Sequence, residues 1–163
     1  MEIRKSRVED LDRMMEIYAA ARAFMASKGN PGQWGDGYPA RAVLEEDIAL
    51  GRSYVVLEDE KVVGTFVFFI GHEPVYDVIT NGAWHAEKPY GVIHRIASDG
   101  MTRGVGRVSF DFCATQTDYI RIDTHEKNLP MQQALQRYGF QRCGDILYAS
   151  GKERIGFDFV KKA

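Results

Sequence analysis

The stretch that most restricts the fold is IHRIASDGMTRGVGRVSF, Ile93 to Phe110. An apolar run that reads as a strand enters a loop containing Gly100, Gly104 and Gly106, and a helix-period segment through Val105, Val108 and Phe112 follows. A strand that passes into a helix this directly needs a sheet with helices packed on it. A helix N-terminus presents unpaired amides and about half a positive charge, so it attracts anions. Gly104 and Gly106 leave out the Cβ atoms that would keep a phosphate from the backbone. Arg103 and Arg107 add charge. The same residues also suit an ordinary sharp connection, and the loop alone leaves both readings open.

The rest of the chain supplies the partners of that unit. MEIRKS reads as a short strand, and Ser6 and Glu9 have capping-box spacing. Leu11, Met14, Met15, Tyr18, Ala21 and Met25 then recur at helical steps. The glycine-rich segment 29–37 ends that helix, and Pro39 opens a second one through Leu44 and Ile48 that stops at Gly51. SYVVLEDEKVVGTFVFFIG reads as two strands joined at Asp59 and Glu60, and residues 72–90 are irregular. YGVIHRIAS and YIRIDTH are strands on either side of the glycine-loop helix. Asn128 caps a further helix that ends at Gly139. FQRCGDILYAS, which includes Tyr148, and ERIGFDFV close the chain as strands. The order β-α-α-β-β-β-α-β-α-β-β predicts an α/β (α+β) fold with helices on both faces of one sheet, in one domain spanning 1–163.

Several function classes drop out. Lys and Arg number 21 against 23 Asp and Glu, so no basic excess points to nucleic acid. No apolar run is long enough to span a membrane. Cys113 and Cys143 are too few for a secreted disulfide framework, and with no signal-like N-terminus the expectation is a cytoplasmic protein. A P-loop fails because Arg107 and Val108 follow Gly106. A dinucleotide fingerprint keeps Gly104 and Gly106 but has Ser109 at its third glycine; Asp123 would be its ribose acid. His72, His85, His94 and His125 lack ligand spacing, so no metal site is expected.

Three features in register over residues 91–140 resemble the GNAT superfamily of acyl-CoA-dependent N-acetyltransferases. VIHRIAS is similar to its fourth strand, and MTRGVG to its Arg/Gln-x-x-Gly-x-Gly/Ala pyrophosphate loop. NLPMQQALQRYGF is similar to its later helix, with Asn128 before it and Gly139-Phe140 at its end. The resemblance implies a mixed, mostly antiparallel central sheet splayed between the fourth and fifth strands, with acetyl-CoA in the split. Ile96, Ala97 and Ser98 would pair with the pantetheine arm. The loop Met101, Arg103, Gly104, Val105, Gly106 and Arg107 would hold the pyrophosphate, and Asn128 would touch the pantetheine. Met101 stands where the family has Arg or Gln, which a backbone cradle tolerates. Leu135 stands where many members place the Tyr that protonates the CoA thiolate. Tyr138 and Tyr148 are nearby tyrosines at other positions.

Acetyl transfer to an amine needs a base near neutrality, which histidine supplies. His94 lies on the fourth strand and His125 just past the fifth. With Tyr148 they form the candidate catalytic set; Glu87 and Glu126 are further candidate bases, and each of these residues also suits an ordinary structural role. Trp34 and Tyr38, in Asn30–Pro39, and Trp84, in His72–Tyr90, are candidate acceptor-pocket walls or end caps of the core. The expected activity is acetyl transfer from acetyl-CoA to a primary amine of a small-molecule or amino-acid-like acceptor. The expected partners are that acceptor, no nucleic acid and no membrane, with a homodimer left open. The alternatives are a non-catalytic acyl-CoA sensor and a nucleotide-binding regulatory domain.

Overall fold

The computed structural model describes residues 1–31, 33–34 and 37–162. Gly32, Gly35 and Asp36, within the segment expected to end the first helix, lie outside the described residues. Strand β1 (Glu2–Lys5) leads through a tight turn at Val8–Asp10 into α1 (Leu11–Ser27), and α2 (Arg41–Ala49) follows. A hairpin, β2 (Ser53–Glu58) and β3 (Lys61–Ile70), precedes β4 (Gly91–Ser98). Then come α3 (Val105–Gln116), β5 (Tyr119–Thr124), α4 (Leu129–Tyr138), β6 (Gln141–Leu147) and β7 (Glu153–Val160). The element order is the expected one. Tyr148, expected on a strand, sits in the turn just after β6.

The strands form one sheet in the order β1-β2-β3-β4-β5-β7-β6. Neighbours are antiparallel except β4 and β5, which run parallel. That pair is joined only at Gly91↔Ile120 and Val92↔Arg121, and the strands part beyond it. The sheet is therefore mixed, mostly antiparallel and splayed where expected.

Strand alternation places consecutive residues on opposite faces. Val55 packs with Leu11, Met14, Ile17, Tyr18 and Leu44 of α1 and α2. Val56 packs with Phe110 and Cys113 of α3 and Leu135 of α4. Each such buried side chain contributes about 1.5–3 kcal/mol relative to exposure, so both helical layers are held by apolar burial. A third cluster, Tyr76, Trp84, Tyr90, Tyr119, Cys143 and Ile146, fills the end of the sheet under the irregular segment. Gly64 of β3 lets α3 sit close, because a Cβ there would overlap Val105. Among the described residues no helix is long and apolar enough to cross a membrane.

Two local features differ from expectation. The Ser6–Glu9 capping box does not form: Ser6 is buried and its hydroxyl accepts from Ser53 Oγ at 2.7 Å. Asp10 does that work instead, accepting from Arg7 N at 2.7 Å and from both Arg4 guanidinium nitrogens at 2.8 and 3.0 Å. The second is a bulge in β4. Thr65 faces Ala97 but Val67 faces His94, so β4 carries one extra residue at Arg95-Ile96. Arg95 adopts φ +48°, a left-handed conformation that costs a non-glycine residue about 1 kcal/mol. Tyr18 Oη donates to its carbonyl at 2.7 Å, and its guanidinium grips Asp47 of α2 at 2.7 and 2.9 Å. Those contacts hold the strained turn in place.

Candidate active site

A cavity of about 450 Å³ occupies the gap where β4 and β5 part. Ile93, His94, Arg95 and Ile96 form its β4 wall, and Ile122, Asp123 and Thr124 its β5 wall. Met25, Gln33, Trp34, Tyr38 and Asp47 close it from the α1–α2 side. Tyr148, Ser150, Lys152 and Arg154 close it from the β6–β7 side.

On the β4 wall, His94 Nε2 meets Glu73 Oε2 at 2.9 Å, and both side chains are largely shielded. The His94 hydrogen bond holds the Glu73 carboxyl below its usual range, against the opposing effect of burial. An ionised carboxylate only accepts, so Nε2 carries the hydrogen and Nδ1 is left as the ring atom that takes a proton.

On the facing wall, Asp123 accepts two hydrogen bonds at Oδ2, from Tyr76 Oη at 2.6 Å and Tyr148 Oη at 2.7 Å. Burial and then the Asp123 charge push both phenols well above their ordinary value. Both hydroxyls are therefore protonated, and Tyr148 reaches the cavity itself. The Tyr76 ring centroid lies 6.1 Å from that of His94, so Tyr76 links Asp123 on one wall to His94 on the other.

At the end of β4 the glycine loop has the form of an anion cradle. Asp99 shapes its first half by accepting from Met101 N at 2.9 Å and from Thr102 N and Oγ1 at 2.8 and 2.9 Å. Burial acts against that carboxylate, but these hydrogen bonds lower its pKa overall. Gly104 has φ +86°, which favours glycine, and starts α3 without any side-chain cap. The first helical bond runs from Val108 N to Gly104 O at 3.0 Å, leaving the preceding amides to an outside acceptor. A Cβ on Gly106 would meet nothing within 4 Å. The protein's own packing does not require glycine there, whereas the close approach of a phosphate does. Met101 is 77% exposed, so its side chain takes no part in shaping the cradle. The residues present fit a CoA pyrophosphate at this loop and a pantetheine arm along the unpaired side of β4.

Asn128 caps α4, its Oδ1 accepting from Met131 N at 3.2 Å, and also lines the cavity. Its Nδ2 donates to Gln33 Oε1 at 3.0 Å. The Gln33 backbone carbonyl in turn accepts from Arg154 at 2.7 Å, so one residue of the α1–α2 segment is tied both to the start of α4 and to β7, on the β5 side of the gap.

The structure gathers some expected residues and separates others. His94, Tyr148, Ile96, Asn128, Trp34 and Tyr38 line the cavity; Trp84 and His125 do not. Trp84 is 8% exposed, sits over Gly156 and carries the Arg121 guanidinium 4.4 Å above its ring. His125 uses Nδ1 to accept from Lys127 N at 3.0 Å, and burial followed by the charge of Arg154 lowers its pKa. Leu135 is buried in the core, and Tyr138 donates to Asp111 at 2.7 Å, away from the cavity. Gln33, Glu73 and Tyr76 lie in the two segments expected as pocket walls, and Gln33 and Glu73 line the cavity, but none was expected to make these bonds; Asp47 and Arg154 gave no local sequence signal of their place here. Among the described residues His85, Cys143 and Asp158 also approach one another. Asp158 is already occupied there by His85 N and Nδ1, both at 2.7 Å, and Tyr119 Oη at 2.8 Å. Burial and that carboxylate push the Cys143 thiol up, so the sulfur stays protonated within this hydrogen-bonded packing unit.

Comparison with solved structures finds an acetyltransferase of the GNAT family from Streptococcus agalactiae 2603. It is 32% identical with a TM-score of 0.89, covering 99% of this chain and 96% of that one. A GNAT-family acetyltransferase from Bacillus cereus ATCC 10987 shares the fold at 20% identity and a TM-score of 0.66, over 99% and 98% of the two chains. So does the GNAT-like decarboxylase GphF in complex with isobutyryl-CoA, at 15% identity and a TM-score of 0.67, over 98% and 99%. No family model matches the chain, and no curated protein matches it by sequence.

Proposed function

This chain belongs to the GNAT family of acetyltransferases, and from that premise we propose that it moves an acetyl group from acetyl-CoA to a primary amine of a small-molecule or amino-acid-like acceptor by direct attack. The observation that carries the reading is the gap between β4 and β5. Its walls set a histidine–glutamate pair opposite a tyrosine–aspartate pair, and a glycine cradle follows directly on β4. A fold shared with a decarboxylase does not name a reaction; a candidate base and a candidate acid facing one cavity support acetyl transfer.

In this mechanism Gly104 to Arg107 hold the pyrophosphate through backbone amides, and the unpaired side of β4 orders the pantetheine. His94 takes one proton from the acceptor ammonium at Nδ1, and Glu73 stabilises the resulting imidazolium. The freed nitrogen pair forms a bond to the thioester carbonyl carbon, whose π electrons move to oxygen. The bulge at Arg95-Ile96 frees backbone from the ladder where that oxygen gathers charge. As the oxyanion collapses, the C–S bond breaks and the sulfur leaves with its electron pair. Tyr148 turns its hydroxyl from Asp123 to that sulfur and gives it its proton. Its raised pKa makes the phenolate short-lived, and the second nitrogen proton restores the phenol. The products are the acetamide and CoA thiol, with one proton returned to solvent from His94.

The test is incubation with acetyl-CoA and a panel of primary amines while free CoA thiol is followed. Amine-dependent thiol release supports the reading. A second reading, an acyl-CoA sensor, rests on Leu135, which fills the core at 0% exposure where many relatives carry a tyrosine. Tight acetyl-CoA binding with no turnover on any amine would favour it. Preference for a dinucleotide over CoA would remove both.

A further inference from the structure

The charges around the cavity do not balance, and the imbalance has a location. Its carboxylates are all engaged: Asp47 by Arg95 at 2.7 and 2.9 Å, Glu73 by His94 at 2.9 Å, and Asp123 by two tyrosine hydroxyls. Among its cations Arg95 is taken up by Asp47 and Arg52 lies 4.1 Å over the Phe69 ring, but Arg154 and Lys152 have no carboxylate partner among the described residues. Arg154 is 9% exposed, yet its guanidinium donates only to two backbone carbonyls, Gln33 O at 2.7 Å and Glu153 O at 2.9 Å. Five N–H groups make up that fork, so three remain without a partner among the described residues. Lys152, two residues earlier on the same edge of the cavity, has no carboxylate partner among the described residues either. An arginine this buried is normally paired, because an isolated charge is expensive to remove from water. A second observation points the same way. Thr124 lines the cavity on β5, is 1% exposed, and its Oγ1 has no hydrogen-bond partner in the protein. Buried hydroxyls are rarely left so.

We propose that the acceptor carries a carboxylate as well as its amine, and that Arg154 and Lys152 bind this carboxylate at the start of β7. This rests on the amine-acetylation reading and narrows it. The acceptor lies across the gap, its amine toward His94 on β4 and its anionic end toward the β6–β7 side. The planar guanidinium suits a two-pronged bond to a carboxylate, and Lys152 adds a point charge at the rim. Thr124 Oγ1 donates to whichever ligand oxygen lies over β5. Arg154 and Lys152 are thus specificity-determining residues, and they take no part in moving protons.

The test compares amino acids with one to five carbons between amine and carboxylate against their primary amides. The kcat/KM for CoA release is measured for each pair, and binding of the N-acetylated compounds is measured by calorimetry. At one chain length at least, the carboxylate should exceed its amide by tenfold or more. Arg154→Gln and Lys152→Gln should each bring that ratio to within threefold, with the KM for acetyl-CoA unchanged. Arg154→Gln also removes the bond to Gln33, so the exposed Lys152 supplies the variant free of folding effects. Equal rates for acid and amide at every length overturn the proposal, as does a ratio that survives both substitutions. Carboxylate-dependent binding of an N-acetyl amino acid that Arg154→Gln abolishes, without transfer to any amine, upholds the anion site and rejects only the transfer reading.

Discussion

Gly106→Glu should make the protein more stable and unable to bind CoA. Gly106 is the second residue of the twelve-residue helix α3 and does not have a positive φ. A Cβ there meets nothing within 4 Å. Replacing glycine by a good helix former inside a helix is worth about 0.5–1 kcal/mol. The first turn of α3 contains no acidic residue, so a carboxylate there adds about 0.3–1 kcal/mol through the helix dipole. The sum, about 1–2 kcal/mol, raises Tm by roughly 2–8 °C for a chain of this size. The same carboxylate occupies the place of the pyrophosphate and repels it, so affinity for CoA should fall at least 100-fold. Gly106→Ala separates the effects: it keeps most of the stability gain and weakens CoA only through its methyl group. Calorimetric titration with CoA and a thermal melt without it give both numbers. A Glu variant that binds CoA normally would refute the cradle. One that melts early would show that the fold, and not a ligand, requires the glycine.

Asp47→Ala leaves Arg95 unpaired at a strained position, and should cost about 3 kcal/mol, a Tm drop of roughly 6–12 °C; a double-mutant cycle with Arg95→Ala that shows no coupling would contradict the pair's role. Tyr148→Phe keeps the ring and removes the proton donor, so kcat should fall about 100-fold with little change in acetyl-CoA binding; an unchanged kcat excludes Tyr148 as the acid. His94→Ala should abolish the acidic limb of the kcat/KM profile, and a retained limb would assign the base elsewhere. Glu73 has a depressed pKa when folded, so its contribution is present above its unfolded value of about 4.3 and is lost as pH falls through the folded value. Urea melts of Glu73→Gln and the parent should therefore differ most at pH 7, with the gap narrowing progressively as pH falls below about 4.3; a constant gap would refute the linkage.

How much of this was legible depended on whether the cause was local. Asn128 and the glycines of the α3 loop act on the next few residues, so their spacing carries their meaning. The Asn128 cap and the left-handed Gly139 at the end of α4 stand where sequence rules place them. The β4 bulge left no mark, because Arg95 reads as a normal strand residue and its left-handed turn is imposed by Tyr18 and Asp47 from other elements. Glu73 reaches His94 across 21 positions and Tyr76 reaches Asp123 across 47, distances at which no spacing rule operates. Trp84 looked like a pocket wall because it lies in an aromatic loop. The shallow seat above Gly156 and the cation of Arg121 bury it instead, and neither is visible until β5 and β7 lie side by side. Ser6 and Glu9 had the spacing of a capping box, but tertiary contact with Ser53 claimed the hydroxyl.

The separation of the two tryptophans has an optical consequence. Trp34 borders the cavity, with its ring 5.5 Å from Tyr18 and 6.4 Å from Tyr38. Trp84, the other of the chain's two, is sealed at 8% exposure under a guanidinium. A ligand entering the gap changes the surroundings of one indole and leaves the other as constant background. Emission excited at the tryptophan band therefore reports cavity occupancy without a label, and a Trp34→Phe variant supplies its blank.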